Sequence, residues 1–377
     1  MGAVIEERGL IYDAATASET ERVAFFTALH RTSAGEWLCC FQVGPTKQAA
    51  TSQLGLCSSS DGGRTWQRRP LNLPTTQDGI PGSLGTGEII EPDPGRLLLF
   101  ATWFDRSDPT RPLFDPDTEG ILPSRLLIAE SLDGGREWSS WRRLDTRGLT
   151  GCAGTGPALR WSDGTLGLAF ESFKEYHETG PARHAAWLLL SRDGGRTFPE
   201  LFRTAHDPND RLYYWDQRLC VDGPSGEYVA LFWTHDRGLA ADLSVHLSHG
   251  SLAAPPTAAP AATGIPGQIA APVRLPDGRL AALVVDRDRP GEIRLWQSSD
   301  NGAAWPREQS LQVHAHDEQA RLTQGLSDID FAQYWEDMAR WTFGHPALQL
   351  LDDNHVLAAY YAGDPSRMSI HWARIRL

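Results

Sequence analysis

The densest run of chemistry-bearing residues is Tyr213-Tyr214-Trp215-Asp216-Gln217-Arg218, three aromatic rings leading into an acid, an amide and a base. Burying such a run costs free energy unless each polar group finds a partner or has a task. Two carboxylates flanking one substrate bond can work as general acid and general base, the acid kept protonated by an apolar setting. Candidates for those roles are Asp216, Glu171, Glu175 and Asp105, each close to an apolar strand-like run. Trp103, Trp215, Arg218, His235, Arg237, Gln268, Arg287 and His345 could supply ring faces and hydrogen-bonding groups around them. Aromatic faces with paired donors and acceptors suit a hydroxylated ring, so the set points to a sugar site. The separation of the pair, about 5–5.5 Å for retention or about 6.5–9.5 Å for inversion, would decide the stereochemistry. For any one of these residues, a solvated charge or a strand-end ion pair is the other role open to it.

Elements that could bring them together recur along the chain. Six apolar hairpins take Trp37, Leu97, Leu166, Tyr228, Leu280 and Val356 as equivalent residues. A repeat of this size is a four-stranded unit with its connections. After most hairpins a third run ends in a polar turn: Ser59 to Trp66, Ser131 to Trp138, Ser191 to Phe198 and Ser298 to Trp305, all keeping the Ser, Asp, Gly and closing ring of the pattern S-x-D-x-G-x-T-W. In such a turn Asp accepts backbone N–H bonds, Gly takes a conformation other residues resist, and the ring plugs the gap between strands. Leu247 to Gly250 is an eroded copy, and the last run, Ser369 to Arg376, has none. Arg8 to Tyr12 is then needed as an outer strand, which would join the chain ends and remove free edges.

Four such turns in phase with six hairpins resemble the sialidase superfamily, the BNR or Asp-box propellers, over nearly the whole length. The resemblance implies an all-β, six-bladed β-propeller in one domain spanning 1–377. A helical insertion over 317–342, between blades five and six, is expected from the spacing of Phe331, Tyr334, Trp335, Met338 and Trp341 behind Ser327. The long connections, Arg106 to Pro123, Ser172 to His184 and His314 to Thr342, fall on one face, where a binding surface belongs. A sialidase-like mechanism implies three arginines, an Asp acid/base and a Tyr nucleophile assisted by Glu. Asp216 stands where the assisting Glu is expected, Arg237 where the second arginine is, and Arg287 or Arg289 could supply the third. The chain departs from the pattern elsewhere: blade one opens with Phe25-Phe26-Thr27, Phe41 to Gln48 holds no Asp, and Phe343-Gly344-His345-Pro346 replaces the tyrosine. The resulting expectation is a glycoside hydrolase using two carboxylates, with a non-catalytic glycan-binding propeller as the rival.

Totals set the outer limits. A net charge of −13 excludes nucleic acid as a general partner and leaves a small molecule or oligosaccharide. No segment is long and apolar enough to span a bilayer. The start, Met1 to Arg8, lacks a basic region followed by an apolar run, so a cytoplasmic location is expected. Cys39, Cys40, Cys57, Cys152 and Cys220 lack ligand spacing and read as buried thiols; neither a metal nor a cofactor is expected. The oligomeric state is left open.

Overall fold

The computed structural model describes residues 2–180, 182–223, 226–288, 291–316, 338 and 341–377. The apolar runs form strands because both of their faces are covered: all of Trp37–Gly44 and Leu166–Ser172 is buried. The strands are joined by hydrogen bonds into antiparallel groups, each beginning with an inner strand. These inner strands are Val23–Arg31, Gly82–Asp93, Cys152–Arg160, Leu212–Val221, Ala270–Arg274 and Phe343–Asp352. Each lies beside the next, and Phe343–Asp352 lies beside Val23–Arg31. Apolar layers fill the gaps between successive groups, for example Leu54 and Leu56 against Leu97 and Leu99, and Leu188 against Tyr228 and Phe232. The N-terminal strand Val4–Tyr12 pairs antiparallel with the C-terminal Arg367–Arg376, so the chain ends lie in one sheet.

One expectation needs correction, and another falls outside the described residues. Six separate sheets were expected, whereas the strands form five, one of them eight-stranded. The cause is local: Val23 and Met368 make a single parallel bridge that joins the first strand group to the last. The helix expected over 317–342 lies outside the described residues, apart from Met338, Trp341 and Thr342. The described residues of that region include Trp341, buried with its ring centroid 5.8 Å from that of Trp233. Among the described residues no helix is long and apolar enough to cross a membrane.

The four polar turns share one geometry. In the first, the Ser59 hydroxyl donates to Asp61 Oδ1 (2.7 Å) and accepts from the Gly63 N–H (3.0 Å), while the N–H groups of Arg64 and Thr65 donate to Asp61. These donors hold the Asp61 carboxyl far below its usual range, led by the Thr65 hydroxyl and amide. The closing glycines Gly63, Gly135, Gly195 and Gly302 all have φ near +85°. For Gly63, Gly195 and Gly302 the close approach is to the preceding strand group: a Cβ on Gly195 would clash with Leu98 Cδ1. Gly195→Ala combines left-handed strain with overpacking and should cost roughly 2–4 kcal/mol, read by urea unfolding. An unchanged midpoint would mean the turn is not seated on its neighbour.

What positions the site is a defect repeated in the inner strands. Register slips where Phe25/Ala28, Leu84/Gly87, Gly154/Ala158, Trp215/Arg218 and Gly344/Ala347 should follow one another. At three of these bulges a non-glycine residue is left-handed: Phe26 at φ +56°, Asp216 at +46° and His345 at +46°. A bulge re-aims a side chain at a strain of about 1–3 kcal/mol, which the paired strands on either side sustain.

Candidate active site

Asp216 and Glu171 line one cavity of about 80 Å³, with Thr155, Phe26, Trp215 and Trp233 also in its wall. Glu171 comes from the second strand of its group and is 1% exposed. The Thr155 hydroxyl donates to its Oε1 (2.7 Å), and so does the Gln217 N–H (3.1 Å). Burial, then the charge of Asp216, holds the Glu171 carboxyl protonated well above the usual range. Asp216 is also raised by burial, but Arg218 and Arg287 pull the other way. Its side chain keeps 19% exposure. The two carboxyls titrate as a pair, and Glu171 is the member that holds the proton.

Cations close the back of the site. Arg218 is buried, its Nη2 hydrogen-bonded to His345 Nε2 and 3.9 Å from Asp216 Oδ1. Burial, reinforced by Arg218, keeps His345 well below its ordinary value, so its ring is a neutral acceptor. Arg287 stacks 4.0 Å from the Trp341 ring, donates to the Phe343 carbonyl (3.0 Å) and binds Gln268 Oε1. Gln268 in turn donates to Asp242 Oδ2 (3.1 Å), and Asp242 Oδ1 meets His235 Nδ1 at 3.0 Å. His235 stacks on Trp215 with centroids 5.1 Å apart. One polar chain thus runs from His235 to the arginine that faces Asp216.

Four expected residues lie elsewhere. Trp103 is core, its indole donating to the Thr75 carbonyl (2.6 Å) under the Arg125 guanidinium. Asp105 caps its own turn by accepting from the Ser107 N–H (2.8 Å). Glu175 is exposed and lines a separate groove with Tyr176 and His177. Arg237 is exposed over the Tyr213 ring. In place of Asp105, its neighbour Arg106 turns inward to the cavity wall, held by the Ser83 hydroxyl and the carbonyls of Arg111 and Gln48.

Sequence reasoning missed Lys47. Lys47 is buried, donating to the Trp341 carbonyl (3.0 Å) and the Tyr361 hydroxyl (3.1 Å), with the Phe25 and Tyr361 rings beside it. Burial, then Arg287, holds its ammonium well below the ordinary range, and burial raises Tyr361. Lys47 lies in a short loop after an apolar strand, where nothing in the local pattern marks it. Among the described residues no three His, Cys, Asp or Glu side chains cluster to hold a metal ion.

Strand groups packed side by side, with polar residues from several inner strands meeting at one cavity, define a fold of the sialidase-like propeller class. No family model matches the chain, and no curated protein does. Solved structures carry the likeness. A protein of unknown function from Dyadobacter fermentans is 18% identical with a TM-score of 0.74, covering 100% of this chain and 99% of its own. The Hadza microbial sialidase is 16% identical with a TM-score of 0.66, over 98% of this chain and 68% of its own. The Penicillium chrysogenum alpha-L-arabinanase, solved with arabinobiose, is 12% identical with a TM-score of 0.62, over 99% and 98%. At these identities the likeness is one of fold.

Proposed function

We infer that the protein is a glycoside hydrolase in which Glu171 is the general acid and Asp216 the base or nucleophile. The observation that carries this reading is that the two carboxyls line one cavity and differ in what holds them: Glu171 neutral donors, Asp216 two arginines. That is the division of labour a two-carboxylate mechanism requires. Trp215 and Trp233 offer ring faces, and Arg287 and the Arg218–His345 pair offer donors, for a small sugar or oligosaccharide. The sialidase and arabinanase among the structural neighbours support a sugar ligand.

The scaffold we propose is a six-bladed propeller formed as one domain over 1–377, with Asp-box turns. Its eight-stranded sheet is two blades joined only at Val23 and Met368. Sialidase chemistry is disfavoured by the residues at its key places: Phe26 opens blade one and His345 opens blade six. Tyr361 enters from the adjacent strand, paired with Lys47 rather than with a carboxylate. A cytoplasmic location fits the five free cysteines.

The test is a panel of chromogenic glycosides, read beside calorimetric binding of the matching free sugars. Turnover of one class supports the reading. Binding with no turnover on any glycoside replaces it with a non-catalytic glycan-binding propeller.

A further inference from the structure

Arg218 lines a second cavity, apart from the one that holds Asp216 and Glu171. This space of about 700 Å³, at the opposite ends of the same inner strands, is lined by Thr27, His30, Glu88, Arg160, Arg218 and Arg274 among others. Glu88 lines this rear cavity, and its Oε1 lies 4.0 Å from Arg218 Nη1. Both residues are buried, at 8% and 4% exposure. Arg218 Nε, the Thr27 hydroxyl and His30 Nε2 are buried with no hydrogen-bond partner among the described residues. The wall of the rear cavity thus includes polar atoms that nothing among the described residues satisfies, the setting in which water enters a protein interior.

We propose that Glu88 is a positioning residue of the site: acting through Arg218 from the rear cavity, it sets how firmly the Asp216–Glu171 pair holds its proton. This rests on the reading of that pair as the reacting carboxyls. One guanidinium serves three carboxylates. Glu88 meets its Nη1 at 4.0 Å and Asp216 its Nη2 at 3.9 Å, and Glu171 is tied to the intervening Gln217 N–H. Arg218 is the charge that all three carboxyls share, so what one draws from it is lost to the others. Burial pushes Glu88 up to about 8, with Arg218 opposing.

Charged and titratable groups stand on both sides of Arg218, with His30, Arg31, Glu91, Arg160 and Arg274 around the rear cavity. Arg287, Tyr361, Lys47 and His345 face the Asp216 side. On the Glu88 side stand the Cys39 and Cys40 thiols, which burial keeps neutral. When Glu88 takes a proton from rear-cavity water, the full charge of Arg218 turns to Asp216. When Glu88 returns it, Arg218 is shared and the pair grips its own proton harder.

Carbon-13 NMR of the whole protein labelled at glutamate carboxyls follows these titrations without a substrate. Glu88→Gln should remove one glutamate that titrates at high pH and lower the Glu171 midpoint by about half a pH unit or more. Glu88→Asp, which keeps the charge, should hold the midpoint near its wild-type value. Where the Gln variant fails to fold, Glu88→Ala, with room for water, is read in the same way. A Glu171 midpoint identical in wild type and the uncharged variant overturns the proposal. An unmoved midpoint with glycoside turnover removes Glu88 alone, whereas a shifted midpoint with no turnover removes the hydrolase reading and leaves the coupling.

Discussion

Glu171→Gln is expected to lower turnover about 10²–10⁴-fold on a glycoside with a poor leaving group, the range for loss of a positioned acid. The same variant should be nearly normal on a dinitrophenyl glycoside, whose leaving group departs without a proton. Asp216→Asn should lose a similar factor on both substrates, because attack on the sugar carbon is needed whichever group leaves. The asymmetry follows from the environments. Glu171 is sealed from solvent with neutral donors around it, while Asp216 keeps some exposure and faces two arginines. Steady-state rates on the two substrates decide it. Equal losses for both variants on both substrates would mean that the roles are not divided in this way. The alkaline limb of the wild-type profile should follow Glu171 and lie well above the ordinary carboxylate range, since burial and Asp216 both raise it.

How far the sequence disclosed this arrangement depended on how local the cause was. The polar turns were legible because Asp61, Asp133, Asp193 and Asp300 each satisfy donors within four residues. The hairpins were legible because a strand buried on both faces is an unbroken apolar run. Asp216 stood out as a charge following three rings, though its left-handed backbone did not. Direction was the common failure. Trp103 and Asp105 share strand Arg96–Asp105 with cavity-lining Thr102 and Phe104, and alternation sends the second pair inward and the first away. Lys47 and Tyr361 meet across a sequence separation of 314 residues, which no local pattern encodes. Glu88 did leave a trace: it is an acid inside a strand otherwise buried around it, Leu84 to Ile90.

Arg218→Met should destabilise the protein by about 3–5 kcal/mol at alkaline pH, because it strips the counter-charge from buried carboxylates and keeps the volume. The loss should be much smaller at pH 5. The sign follows from proton counting. Glu88 has a folded-state value of about 8 against an ordinary 4.5, so between those limits the folded protein holds a proton that the unfolded chain has released. Wild-type stability therefore falls as pH rises through this window, by at most about 1.4 kcal/mol per pH unit for each such group. At pH 5 Glu88 and Glu171 are largely neutral and ask little of the guanidinium. At pH 9 they are ionised in the wild type and lean on it, whereas the variant must either bury bare charge or keep protons that the solvent pulls away. His345 loses its Arg218 donor at both pH values, so that part of the cost is constant. Urea unfolding of both proteins at pH 5 and pH 9 separates the contributions. A gap that widens with pH identifies Arg218 as the shared counter-ion of the site, and a gap of constant width would reduce it to a packing element.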